Sequence, residues 1–152
     1  MPRVTFDTSV FIAYQPAVFP AGFLLSAVVV QELAAGALDK SGLQQLDASR
    51  RKYEQMGRLL VPTGEDWWFA GKVLNSLLRG LKSKRGGLTP KLPAAEKQRI
   101  IRDVLIARTV RRAGALLVTD NLSDFRLISR FCAVRVAAGR QYFNRRGARE
   151  KT

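Results

Sequence analysis

Histidine is absent from this chain, cysteine occurs once, and acids are scarce, with 12 Asp+Glu against 26 Lys+Arg. Without histidine there is no imidazole base, no Ser-His-Asp triad and no His-rich metal site. Cys132 alone can form neither an intramolecular disulfide nor a multi-cysteine zinc site, so the expectation is an intracellular, cytoplasmic protein. Long apolar runs are missing too. The stretch from Phe23 to Val30 is interrupted by Ser26 and falls well short of the ~20 residues that a membrane span needs. Asp7 interrupts the apolar region that a secretion signal would require, and neither a signal nor a membrane segment is expected.

What is present suits one domain: 152 residues, 47% of them apolar, can enclose a core of their own. The formal charge of +14 and a pI near 11.1 cost self-repulsion, which is expected to serve a polyanionic partner. Nucleic acid is the expected partner. A generally basic surface arising from arginine-rich codon usage is the plain alternative.

Apolar and turn-forming residues divide the chain into alternating strands and helices. Val4 to Phe6 reads as a strand and Thr8 to Tyr14 as a short helix, broken by Pro16 and Pro20. Phe23 to Ala27 reads as a second strand, with Ser26 capping a helix that carries Val29, Leu33 and Ala37. An amphipathic helix follows from Asp39, with Leu43, Leu46, Tyr53 and Met56 as its apolar set, and Leu59 to Val61 is a further short strand. Glu65 to Lys84 is expected to be a helix with Trp68, Ala70, Val73, Leu74 and Leu77 inward. The basic, Gly- and Pro-containing stretch 81–95 reads as an extended loop or clamp. A helix ending near Arg112, a strand Ala115 to Thr119, a short helix through Ile128 and a strand Ala133 to Val136 complete a domain over 1–138, followed by a basic tail over 139–152. This alternation predicts a three-layer α/β/α domain with a central, mostly parallel sheet.

In such sheets ligands sit outside the carboxyl ends of the strands. Asp7 follows the first strand, and Asp120 and Asp124 follow the strand Ala115 to Thr119. Asp103 lies about ten residues before the turn at Gly114, or ~15 Å of helix, and the returning strand rises ~16 Å, so Asp103 is expected level with Thr119. Glu32 sits about two turns into the helix that follows the second strand. Four chain segments thus bring acids to one edge of a chain that has few.

Like charges brought together cost free energy unless a cation or proton neutralises them. Mg²⁺ or Mn²⁺ is the expected occupant, since these ions take oxygen ligands and share them with phosphate oxygens. The matching substrate is a phosphodiester, with water as nucleophile and no need of histidine. Lys82, Lys84, Arg85, Arg108, Arg111 and Arg112 are candidate RNA contacts.

The segments Asp7-Thr8-Ser9-Val10-Phe11-Ile12, Ser26 to Leu33, Asp103 to Ala107, and Leu117 to Phe125 (LVTDNLSDF) together resemble the PIN-domain ribonucleases, and among them the VapC-type toxins of bacterial toxin–antitoxin pairs. The resemblance covers almost the whole chain in the right order. It implies that Asp7, Glu32, Asp103 and Asp124 are the catalytic acids around Mg²⁺ or Mn²⁺, that Thr8 or Ser9 supports the first acid, and that Thr119 and Asn121 are the polar positions of the T-x-N-x-x-D-F signature, with Asp120 at its variable position. It also implies a divalent-metal-dependent endoribonuclease, a homodimer, and a cognate antitoxin protein covering the site.

Each residue also has a plainer use. Asp7 and Asp124 could cap helices, Asp120 could be a turn residue, and Asp103 could pair with Arg99 or Arg102. Trp67 and Trp68 read as one core and one surface residue, and Cys132 as a small buried apolar residue. The rival from another class is a non-catalytic RNA-binding or partner-docking module built on the same fold.

Overall fold

Residues 3–84, 86 and 92–149 are described by the computed structural model of the chain. Five short strands are all parallel: β1 (Val4–Phe6), β2 (Leu25–Ser26), β3 (Leu59–Leu60), β4 (Leu116–Val118) and β5 (Arg135–Ala137). β1, β4 and β5 pair in that order, β2 pairs with β3, and a bridge between Thr5 and Leu24 joins the two sets. The order across the sheet is therefore β3-β2-β1-β4-β5. Parallel neighbours require crossover connections, and the helices α1 (Thr8–Ala13), α2 (Ala27–Ala35), α3 (Lys40–Gln55), α4 (Gly64–Lys84), α5 (Ala94–Arg112), α6 (Leu122–Ser129) and α7 (Gly139–Arg149) supply them and close the chain.

Strand alternation divides the core in two. Val4, Phe6 and Val118 face one side, where Val10, Phe11, Phe19, Phe23, Tyr142 and Phe143 pack against them. Leu117 faces the other side, with Val29, Val104, Ile106, Phe125 and Ile128 among its neighbours. Thr5 faces the same side as its partner Leu117, and its hydroxyl donates to the Leu24 carbonyl at 2.7 Å, which satisfies a buried polar group. Both faces are covered, as the three-layer α/β/α reading requires.

Phe6 is the centre of the first layer. Its ring meets Phe19 edge-on at 4.7 Å and stacks on Phe143 at 5.9 Å between centroids. The last contact overturns part of the sequence reading. Gly139–Arg149 is a helix rather than an open tail, because Tyr142 and Phe143 give an otherwise basic segment an apolar face. Its start depends on a missing side chain: a Cβ at Gly139 would lie 2.9 Å from Asp120 Oδ1 and from the Tyr14 ring.

α4 and α5 form an antiparallel pair. Along α4 the inward stripe is Asp66, Ala70, Val73 and Leu77, at the spacing of one helix face. Asp66 occupies the position that places Trp67 and Trp68 outside, 57% and 69% exposed, so the expected inward Trp68 is corrected. Leu43 and Met56 are likewise exposed, since α3 packs mainly against α2 at the edge of the fold.

The fully buried Asp66 carboxylate is satisfied from three sides. With Thr63 it forms a capping box: the Thr63 N–H donates to Asp66 Oδ2 at 2.9 Å, and the Asp66 N–H donates to Thr63 Oγ1 at 3.2 Å. Arg108 Nε donates to Oδ1 at 3.1 Å, and Arg112 donates to the same oxygen. Burial pushes the Asp66 pKa up, but the hydrogen bonds from Arg112, the Thr63 N–H and Arg108 outweigh it and hold the carboxyl below its usual range.

Two predictions follow from this packing. Phe6→Ala should cost about 3–5 kcal/mol of stability, while Trp68→Ala should stay within about 0.5 kcal/mol, both read from urea unfolding midpoints. Asp66→Asn should cost about 2 kcal/mol at pH 7, since solvent at Arg112 screens the pair. The lowered pKa means that this contribution is present above the unfolded carboxyl pKa and is lost as the pH falls through the folded one, so the gap between wild type and variant should close in acid.

Candidate active site

β1 and β4 end side by side, and the pairing continues past them: the Asp7 N–H donates to the Val118 carbonyl at 3.1 Å. This places Asp7 against Thr119 and the turn 119–121. Thr119 Oγ1 donates to Asp7 Oδ2 at 2.5 Å, and Ser9 Oγ donates to Oδ1. Each hydroxyl also accepts from the turn backbone, Thr119 from the Asn121 N–H at 2.9 Å and Ser9 from the Asp120 N–H at 3.2 Å. With their acceptor roles taken by N–H groups, both protons are directed at the carboxylate. Asp7 makes no side-chain cap to α1, so the capping alternative does not describe it.

A cleft of about 170 Å³ opens at this edge. Asp7, Glu32, Asp103 and Asp124 all line it, with Thr8, Ser9, Asn121, Ile106, Arg99 and Arg102. They come from the end of β1 and the start of α1, from α2, from α5, and from α6 after the β4 turn. Asp103, expected near this edge from helix and strand rise, lines the cleft from α5. Ser26 caps α2, accepting from the Val29 N–H at 3.4 Å, and so sets the helix that carries Glu32.

The electrostatics show what the gathering costs. Burial raises the Asp103 pKa, and the charges of Asp124, Glu32 and Asp7 push it further, to about 7. Glu32 is raised by burial against the pull of Arg102. Asp7 is raised by burial against its hydrogen bonds from Ser9 and Thr119. Asp124 meets Arg99, Nη1 to Oδ1 at 3.6 Å, and Arg99 also meets Glu96 at 3.5 Å.

The donor set suits a hard divalent cation. The acids offer oxygen ligands only, and Thr8 Oγ1, lying toward Glu32 but outside hydrogen-bonding geometry, is a buried side-chain oxygen without a partner. Among the described residues, no group of three or more acid or thiol side chains is drawn close enough to hold one ion as it stands. Asp7 is turned to its two hydroxyls and Asp124 to Arg99, which is how uncompensated like charges arrange themselves.

The remaining sequence candidates divide. Ser9, not Thr8, supports Asp7. Asp120 is exposed, and its carboxylate accepts from the Gly139 N–H at 3.1 Å, so only its backbone serves the site. Arg108 and Arg112, expected at RNA, are held by Asp66 at the α4–α5 interface. Arg111 is exposed near the same end of α5, about 12 Å along the axis from Asp103. Lys82 and Lys84 are exposed on the last turn of α4. Arg85 and much of the expected 81–95 loop lie outside the described residues. The sequence reading passed over Arg99 and Arg102 as parts of the site, although the spacing R-x-x-R-D over 99–103 puts both on the face of Asp103. It also missed Asp66, which the T-x-x-D pattern at 63–66 signals.

No protein-family model and no curated protein sequence matches the chain. Among solved structures, a chain of DNA-bound VapBC from Salmonella typhimurium is similar, 18% identical over 91% of this chain and 98% of that chain, with a TM-score of 0.50. A chain of VapBC-1 from nontypeable Haemophilus influenzae is 20% identical over 89% of this chain and 96% of that chain, with a TM-score of 0.49. At these identities the likeness to the first is one of fold, and it agrees with the PIN-like α/β/α architecture.

Asp103 provides a test of the cleft in the absence of added metal. Its raised pKa means that the folded chain holds a proton that the unfolded chain releases, so stability falls as the pH rises from about 4 toward 7. Asp103→Asn should therefore raise Tm at pH 8 and raise it clearly less at pH 5, where only part of the penalty has accumulated. Equal shifts at both pH values in calorimetry would contradict this electrostatic account.

Proposed function

We propose that the chain is a divalent-metal-dependent endoribonuclease, the toxin of a toxin–antitoxin pair. The observation that carries the reading is the convergence of Asp7, Glu32, Asp103 and Asp124 from four chain segments on one cleft of a chain with a formal charge of +14. Acids at the ligand edge of a parallel sheet, in a protein otherwise suited to polyanions, fit a phosphodiester substrate. The four-segment likeness to VapC-type toxins, together with the fold shared with a VapBC chain, supports the same reading and adds a cognate antitoxin protein, a homodimer and a cytoplasmic setting to the proposal.

Asp7, Glu32, Asp103 and Asp124 are the residues that would hold Mg²⁺ or Mn²⁺. When bound, the ion supplies an activated water and offsets charge at the phosphoryl group. The chain's own part is orientation. Ser9 and Thr119 fix both oxygens of Asp7, so this carboxylate presents one geometry whatever its neighbours do. Thr8 Oγ1 and Asn121 add neutral oxygen and amide groups to the cleft wall. Lys82 and Lys84, exposed at the end of α4, would hold flanking phosphates, which position the strand without reading its sequence.

The test is incubation of the purified protein with total tRNA and rRNA, in Mg²⁺, Mn²⁺ or chelator. Discrete, metal-dependent cuts mapped by primer extension are expected, and Asp7→Asn should reduce them by about two orders of magnitude or more. The same variant should bind RNA at least as well as wild type, because a repulsive charge near the phosphates is gone. Intact RNA in every metal, with binding equally strong in chelator, would replace this reading with the non-catalytic module.

A further inference from the structure

Arg99, Arg102, Asp103 and Ile106 fall on one face of α5 at helical spacing, and all four line the acidic cleft. Two guanidinium groups inside a cluster of would-be metal ligands need an explanation, since a cation beside such ligands competes with the metal. Their partners are specific. Arg99 bridges Asp124 and Glu96, at 3.6 and 3.5 Å. Arg102 lines the same cleft as Glu32, and its charge favours the ionised form of that acid. Two of the four cleft acids thus already have a cation of the chain's own, while Asp7 has hydroxyl donors instead.

We propose that Arg99 and Arg102 are resident counter-cations of the cleft, which restrict it to one divalent ion and set the affinity for that ion. The charges balance in this sense. With a metal bound and all four acids ionised, Arg99 and Arg102 offset part of their charge, and Arg99 is shared with Glu96 outside the cleft, so the cleft keeps a negative charge that a divalent cation offsets. A second ion would make the cleft positive and would have to displace Arg99 from Asp124. Arg99 on Asp124 leaves Asp7, Glu32 and Asp103 as the acids open to the first ion, and Asp124 becomes available only when Arg99 moves off it. This inference rests on the metal-dependent reading above and gives its stoichiometry and tuning.

The experiment is a Mn²⁺ titration of the full chain, followed by calorimetry and by electron paramagnetic resonance, for wild type, Arg99→Gln, Arg99→Lys, and the Arg99→Gln/Arg102→Gln pair, with thermal unfolding as the folding control. Wild type should bind one Mn²⁺ per chain. Arg99→Gln should bind it about tenfold more tightly, Arg99→Lys should behave as wild type, and the double variant should take up a second ion with spin coupling between the two. Two ions on the wild type, or unchanged affinity and stoichiometry in the folded glutamine variants, would overturn the proposal. Absence of Mn²⁺ binding in every protein would overturn it together with the metal-dependent reading. One bound ion with the expected shifts but no RNA cleavage would leave the counter-cation role standing and remove only the nuclease.

Discussion

The parallel register of β1 on β4 is the constraint on which the cleft depends. It sets Phe6 opposite Val118, so the next residue on each strand, Asp7 and Thr119, meet beyond the last ladder bond. A slip of one residue would turn Asp7 toward the opposite face and bring Phe6 out of its aromatic layer. Burial of Phe6 therefore fixes the position of a carboxylate one residue away. The two hydroxyl groups that orient this carboxylate are in turn held by N–H groups of the turn after β4, so backbone geometry on one strand dictates side-chain geometry on its neighbour.

Acids are used sparingly here, and their placements contrast. Asp66 is wholly buried and held ionised by two arginines and a backbone amide, where it joins α4 to α5. Asp103 is partly buried among acids, and its ionisation is opposed. The first arrangement is satisfied within the chain and has nothing left to bind. The second is short of positive charge, and that deficit is what distinguishes a binding cleft from a structural ion pair.

Much of this was legible in the sequence. The acids after strand ends could be placed because parallel strands deliver their carboxyl ends to one edge, and Asp103 because helix and strand rise are fixed lengths. The pairing of individual arginines was not legible: Arg99, Arg102, Arg108 and Arg112 share one helix, and which of them meets Asp124, Glu32 or Asp66 depends on how α5 crosses α4 and α6. Trp68 misled because hydropathy favours tryptophan over aspartate at an inward position, whereas Asp66 could take it by bringing its own partners. The helix after Gly139 was hidden by composition, since two aromatic residues among many arginines do not form a visible stripe, and its anchor is the glycine's lack of a side chain.

That helix ties the cleft to a distant part of the chain. Phe6 completes its surroundings only with Tyr142 and Phe143, which lie far along the chain from it. The packing of β1, and with it the position of Asp7, therefore depends on the docking of α7. α7 thus acts on the cleft through Phe6, although no residue of α7 lines it.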